Sequence, residues 1–371
     1  MVAPEATVAA VRPQLRRLGI TRVADVTGLD WLGIPVVMVI RPNARSLAVS
    51  QGKGLTHAAA VASGLMEARE LWYAERISAD GRTATAKQLA REDAVVDLDG
   101  LPCVGPEPPD PERVRSWVRG TNLFDGKPTW VPRAVVSLDA TEPAPSDGLA
   151  STSNGLASGN GLAEAVTHAL CEVIERDALA SWHAAPALRR GARCVDLRTV
   201  GDTACRELLD RCVAAGMEAL VWEVSSRVQV PVFVCLLAEV GNNQARAPYA
   251  SFGAGCHPDA GIALSRALTE SAQARLTFIT GSRDDLSPAE YLAGAVTSRR
   301  LAGYREARPP VPPIDFSALP AAAHEAFDED LDWVLNRLAR AGLHQPVLVK
   351  LSAGDEMPVV RVLVPGLVGP V

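Results

Sequence analysis

Five glutamates carry the chemistry open to this chain. Glu164, Glu172 and Glu175 fall in SNGLASGNGLAEAVTHALCEVIERDA (153–178), and Glu67 and Glu70 in SQGKGLTHAAAVASGLMEARELWY (50–73). At about 100° per residue, Glu172 and Glu175 stand about 80° and about 20° from Glu164, so three carboxylates share one narrow helix face. Ala165, Val166, Ala169, Leu170, Val173 and Ile174 cover the other side. Lysines four residues away would relieve the repulsion, but His168 alone could carry positive charge near that face. A single acidic face of this kind is ordinarily solvated. Two such faces turned on one centre need counter-charge, because an ionised carboxylate taken out of water must be paired or metal-bound. An all-oxygen ligand set suits Mg2+, whose shell phosphates usually complete. Lys53, Arg176, Arg275 and Arg283, near the ends of the clusters, match phosphates. Asn160 and the Gly-rich backbone of 155–161 stand at a helix N-terminus, which takes anions. The combination reads as a nucleoside triphosphate held through several Mg2+ ions.

The elements that must position these residues recur three times. Ser63-x3-Glu67-x2-Glu70, His168-x3-Glu172-x2-Glu175 and Arg266-x3-Glu270-x2-Gln273 align, each after a Gly-rich turn, with the middle glutamates about 100 residues apart. That period is too long for a solenoid and fits three diverged helix-bearing units packed around a shared centre. Around them the pattern predicts helices over 7–19, 55–77, 199–215, 261–278 and 320–342. Strands are expected over 129–138, 217–223, 230–239, 346–351 and 358–364. A helix or turn is expected over 111–118, a long functional loop over 141–161, and a Pro-rich loop over 305–313. No β-α-β rhythm runs through the chain, so a mixed α+β fold with largely antiparallel sheets is expected rather than a doubly wound one.

Composition narrows the classes. The 371 residues are 48% apolar with mean hydropathy +0.09, as for a globular chain, and the net charge of −6 argues against nucleic acid as a partner. The N-terminal residues have no basic region of a secretory signal. The apolar run Trp31–Ile40 is too short to span a membrane and contains Pro35. A cytoplasmic protein with no membrane partner is expected. Seven cysteines, an odd number without C-x2-C spacing, argue against a structural zinc site or disulfide framework. Cys171 and Cys235 read as core. Cys256 and His257 are adjacent and, on an extended chain, point opposite ways, which disfavours a nucleophile pair. QGKGL lacks the P-loop spacing, GLASGNG is not a dinucleotide fingerprint, and kinase signatures are absent.

SNGLASGNGLAEAVTHALCEVIERDA, preceded by GKGLTHAAAVASGLMEARE and followed by GCHPDAGIALSRALTESAQARLTFITGSRDD, resembles the YcaO superfamily, from about residue 20 to the end. Members use ATP to activate a backbone amide of a peptide or protein. The resemblance implies a YcaO-type α+β fold with three related subdomains around a central nucleotide site. It sets residues 20–371 as the catalytic domain after a helical lead-in over 1–19. It implies that Glu67, Glu70, Glu164, Glu172 and Glu175 ligate Mg2+, that Ser63, Asn160 and Arg176 contact ATP, and that Arg275, with Arg283 and Lys53 as further candidates, contacts phosphate. The first cluster departs from many members, with Leu71 rather than arginine after Glu70. GITRVADVTGLDWLGIPVVMVIRPNARSLAVSQGKG resembles the branch that acts beside a TfuA protein in thioamide formation. Azoline-forming members often end in Pro-x-Pro-x-Pro, whereas this sequence reads VGPV. The expectation is therefore thioamide formation on a peptide or protein, with a TfuA-like partner and a sulfide source. Azoline formation at Cys, Ser or Thr of a precursor peptide, or a non-catalytic ATP- or peptide-binding subunit, are the alternatives. A homodimer is compatible with this reading.

Overall fold

The structure, a computed structural model, describes residues 2–77, 81–104, 107–143, 148–186, 190–239, 250–281, 312–320, 322, 324–352, 354, 357–367 and 369. Its organising element is a strand that turns after three residues into a long helix. β3 (Val49–Lys53) leads into α2 (His57–Ala74), β8 (Leu156–Ser158) into α4 (Leu162–Ala184), and β12 (Ser251–Cys256) into α6 (Ala260–Thr280). Ser63, His168 and Arg266 each stand six residues into their helix in this register, so the sequence alignment is also a structural one. Thr56 caps α2 by accepting the Ala59 N–H, and Asp259 caps α6 by accepting that of Ile262. These bonds fix where each helix begins.

Each long helix lies on an antiparallel three-strand layer with a second helix beside it. The first unit has α1 (Pro4–Val11), β1 (Arg22–Asp25), β2 (Val36–Ile40) and β3, in sheet order β1-β2-β3, with α1 packed on α2. Of residues 2–19 only Pro4–Val11 are α-helical, and this helix packs within the first unit. The third unit has α5 (Thr203–Ala214), β10 (Met217–Glu223), β11 (Val232–Glu239) and β12. The middle unit is assembled from distant chain: α7 (Phe327–Arg340), β14 (Val347–Lys350) and β15 (Val359–Leu363) come from the C-terminal part, β15 pairing with β8 on one side and β14 on the other while α7 packs on α4.

Close approach of strand and helix is built into glycines. A Cβ on Gly52 would lie 2.0 Å from the Ala60 carbonyl oxygen, and one on Gly253 2.2 Å from the Ser271 nitrogen. The units then close on one another: α2 touches β8, α4 touches β12 and α6 touches β3. Three inner helices thus ring one centre, their apolar faces in the core and their acidic faces inward.

The sheet of the middle unit continues through β6 (Arg115–Asn122), β7 (Pro128–Pro132) and β5 (Ala94–Val95), with β4 (Arg82–Ala84) also on β6. Of the expected helix or turn at 111–118, Pro111 and Glu112 do form a turn, but from Arg115 onward the chain is β6. That strand hydrogen-bonds to β7, β14 and β4 and buries Trp117, and sheet pairing overrides a local charge-rich reading. The expected strand at 129–138 ends at Pro132, and the 141–161 loop contains β8. The Pro-rich stretch 305–313 lies outside the described residues except for 312 and 313.

Candidate functional site

Within the ring lies a cavity of about 2000 Å3. Glu67 and Glu70 of α2, Glu164, Glu172 and Glu175 of α4, and Glu270 of α6 all line it, against Lys53, Arg176 and Arg266 on the same walls. Ser63, Asn160, His168 and Gln273 line it too. The structure thus brings all five sequence-singled glutamates, Ser63, Asn160, Arg176 and Lys53 to one chamber.

The carboxylates sit in different environments. Glu70 accepts a 2.7 Å hydrogen bond from Ser158 Oγ. Burial, and then the charges of Glu67 and Glu172, still push its pKa up to about 8. Burial, then Glu270, pushes Glu175 to about 7, and burial also raises Glu172. Glu172 and Glu175 have no hydrogen bond or ion pair among the described residues. Burial acts to raise Glu270 as well, but Lys53 at 2.6 Å together with Arg176 outweighs it, and Glu270 is held below its ordinary value. Glu164 accepts the Asn160 backbone N–H at 2.9 Å at the start of α4, and Asn160 Oδ1 accepts the Thr7 hydroxyl at 2.8 Å, so α1 reaches the site. The Gln51 N–H donates to Glu67 at 3.4 Å.

This donor set fits a hard divalent cation. The three inner helices and the strand end at Lys53 set Glu67, Glu70, Glu164, Glu172, Glu175 and Glu270 beside Lys53, Arg176 and Arg266, and burial keeps Glu70, Glu172 and Glu175 raised despite these cations. Among the described residues no three acidic, imidazole or thiol groups stand close enough to form a closed cage.

A pH dependence follows. Glu70 and Glu175 keep protons in the folded chain that the unfolded chain loses above its ordinary carboxylate value of 4.5, so stability falls as pH rises through about 7 to 8. Without divalent cation, Tm should be lower at about pH 8.5 than at about pH 5.5, and Mg2+ with nucleotide should raise it more at the higher pH. A thermal shift series with and without chelator checks this.

Arg275 is placed differently from the expectation. It is buried outside the cavity wall, with Nε 2.7 Å from Asp30 and Nη2 2.9 Å from Glu239. Two carboxylates already occupy it, which corrects the phosphate contact to a structural tie between α6, the loop at Asp30 and the end of β11. Arg283 lies outside the described residues. Cys256 is buried, its thiol pushed well above the ordinary range by burial and by Cys171, and burial drives His257 down to about 4. They form no activated nucleophile pair. Missed from the candidate residues were Glu270, Arg266, His168 and Ser158. The first three occupy aligned positions of the triple repeat, which was the available signal. Burial drives His168 down to about 3, so its imidazole is neutral.

Fold and cavity together define a class: an α+β protein with three related strand–helix units presenting carboxylates to one large chamber. The chain belongs to the YcaO family, since a family model described as "YcaO cyclodehydratase, ATP-ad Mg2+-binding" matches residues 51–368. ATP and Mg2+ are its cofactors, and ATP-dependent peptide modification is its class of activity. An uncharacterized protein in the tfuA 3' region of Rhizobium leguminosarum bv. trifolii is 37% identical over 99% of this chain and 88% of its own length. An uncharacterized protein of Methanothermobacter thermautotrophicus is 36% identical over 99% of the chain and 94% of its own. YcaO from Methanopyrus kandleri, solved with AMPPCP and Mg2+, superposes with TM-score 0.78 at 24% identity, covering 99% of this chain and 91% of that one. A heterocyclase solved with substrate and cofactor also gives TM-score 0.78, at 22% identity over 99% of this chain. The present chain spans about half of its length, 52%. Among the described residues, no helix is long and apolar enough to cross a membrane.

Proposed function

We propose that this chain uses ATP to phosphorylate the oxygen of a peptide or protein backbone amide, and that the activated amide becomes a thioamide with a TfuA-like partner and a sulfide source, in the cytoplasm. The observation that carries the reading is the cavity into which the three inner helices turn six glutamates, with no activated nucleophile pair among the described residues. At about 2000 Å3 it exceeds the roughly 300–1,000 Å3 of a site for one small ligand, leaving room for nucleotide and a stretch of peptide together.

In this reading Glu67, Glu70, Glu164, Glu172 and Glu175 hold Mg2+, while Ser63, Asn160, Arg176 and Lys53 meet ATP. When bound, Mg2+ supplies charge stabilisation on the transferring phosphoryl group. Arg176, flanked by Glu175, Glu172 and Glu270, stays protonated despite its burial and offers a fixed cation to that group. The amide oxygen forms a bond to the γ-phosphorus as the bond to ADP breaks. Sulfide then adds to the amide carbon, and phosphate departs with the former amide oxygen. The net change is amide, ATP and hydrosulfide to thioamide, ADP and phosphate.

The tfuA-region name of the Rhizobium relative favours the thioamide outcome. The cyclodehydratase description of the family and the heterocyclase neighbour favour the second reading, in which a Cys, Ser or Thr side chain of the peptide is the nucleophile and an azoline forms. A non-catalytic peptide-binding subunit would have no need of the five glutamates that face the cavity, and ATP turnover separates a non-catalytic ATP-binding subunit from an enzyme. Mass spectrometry of a candidate peptide incubated with the protein, ATP, Mg2+ and sulfide, with and without a TfuA-like protein, decides. Exchange of oxygen for sulfur supports the proposal, loss of water supports azoline formation, and an unmodified peptide in all arms counts against both.

A further inference from the structure

The three strands leading into the cavity end on equivalent residues, Lys53, Ser158 and Cys256, each separated by three residues from its helix. Because the units close in a ring, each strand end meets a carboxylate on the inner helix of a neighbouring unit, and each treats it differently. Lys53 Nζ lies 2.6 Å from Glu270 and neutralises it. Ser158 Oγ donates to Glu70 Oε1 at 2.7 Å, and the Ser158 backbone N–H faces the same carboxylate. Cys256 lies near Glu175, which has no hydrogen bond or ion pair among the described residues. One carboxylate thus stands in an ion pair, one has its Oε1 engaged by a hydroxyl, and one has no hydrogen bond or ion pair among the described residues.

We propose that Ser158 is a positioning residue that holds Glu70 as a one-oxygen ligand and thereby biases the site toward Mg2+ over Ca2+. The inference rests on the reading of Glu70 as a Mg2+ ligand. Ca2+ takes six to eight oxygens at about 2.3–2.6 Å and accepts both oxygens of one carboxylate, whereas Mg2+ keeps a tight octahedron at about 2.0–2.1 Å. With Oε1 committed to a hydroxyl, Glu70 offers Oε2 alone, which suits the smaller ion. The brace is stiff because Ser158 is itself fixed. It is buried, β8 pairs it with Val359 of β15, and its carbonyl accepts from the neutral His168 imidazole of α4. It therefore sets the distance between α2 and α4 as well as the orientation of Glu70. Partners that orient a metal ligand change affinity by about 10–100-fold when removed.

The test measures binding of Mn2+ by electron paramagnetic resonance in the presence of a non-hydrolysable ATP analogue, with Mg2+ and Ca2+ as competitors, on wild type, Ser158→Ala and Glu70→Gln. Thermal unfolding confirms that each variant is folded. Ser158→Ala should weaken Mg2+ by about 10-fold or more while Ca2+ is held or tightened, so the Mg2+/Ca2+ preference falls. Glu70→Gln should weaken both ions. An unchanged preference in Ser158→Ala, or equal loss of both ions, overturns the role of Ser158 while the Glu70→Gln result still upholds the metal site. Unchanged binding in Glu70→Gln overturns both.

Discussion

Replacing Glu175 with glutamine should lower Mg2+-dependent ATP turnover by about 10²–10³-fold, the scale lost when one preorganised electrostatic group is removed from a transferring centre, while the chain becomes more resistant to heat without metal. The two effects have opposite signs for one reason. Glu175 is buried, unpartnered among the described residues, and raised to about 7 by burial and then by Glu270. Without a cation its charge is a cost to the fold, and an isosteric neutral amide removes that cost. With Mg2+ and ATP the same charge is what the site contributes. Glu172→Ala should show the same loss of turnover. ATP hydrolysis measured across a Mg2+ titration, alongside chelator-treated melting curves, checks both halves, and wild-type turnover in Glu175→Gln would remove this carboxylate from the account.

The second large effect concerns the frame. Gly253→Ala places a Cβ 2.2 Å from the Ser271 nitrogen and 2.4 Å from the Ala267 carbonyl oxygen, and Gly52→Ala places one 2.0 Å from the Ala60 carbonyl oxygen and 2.2 Å from the Gly64 nitrogen. These neighbours are helix backbone and cannot rotate aside, so strand and helix must separate. Overpacking costs about 1–3 kcal/mol and more when backbone has to move, and each substitution is expected at or beyond the upper end. Gly201→Ala, with nothing within 4 Å of the added carbon, should be nearly neutral. Urea unfolding of the three variants measures this. A mild Gly253→Ala would mean that the helix does not ride against the strand as described.

These two predictions also mark what was legible in the sequence. The triple repeat was readable because it is local. Gly-rich strand end, short turn and Ala-rich helix recur with one spacing, so Glu67, Glu172 and Glu270 take the same seat in α2, α4 and α6. The convergence of Glu67, Glu70, Glu164, Glu172 and Glu175 on one cavity followed from that repeat.

Long-range pairing was not readable. Nothing near β8 announces that its sheet partners β15 and β14, and the helix α7, arrive from the far end of the chain. RSWVRGTN gave no clear strand period because the adjacent Trp117 and Val118 of β6 are both buried, so both faces of the strand are covered there. Arg275 looked like a phosphate ligand because the two carboxylates that occupy it, Asp30 and Glu239, lie on other elements. Ser158 gave no signal of its own, since a serine in a Gly-rich turn is ordinary until the fold sets Glu70 beside it.

The most direct measurement follows the amide oxygen. A candidate peptide carrying 18O in its backbone amides is incubated with the protein, ATP, Mg2+, sulfide and a TfuA-like protein, and the released phosphate is analysed by mass spectrometry. Phosphorylation of the amide oxygen requires 18O in inorganic phosphate, in step with peptide modification, and none in the nucleotide product. Modified peptide with unlabelled phosphate, or label appearing in AMP, would contradict it.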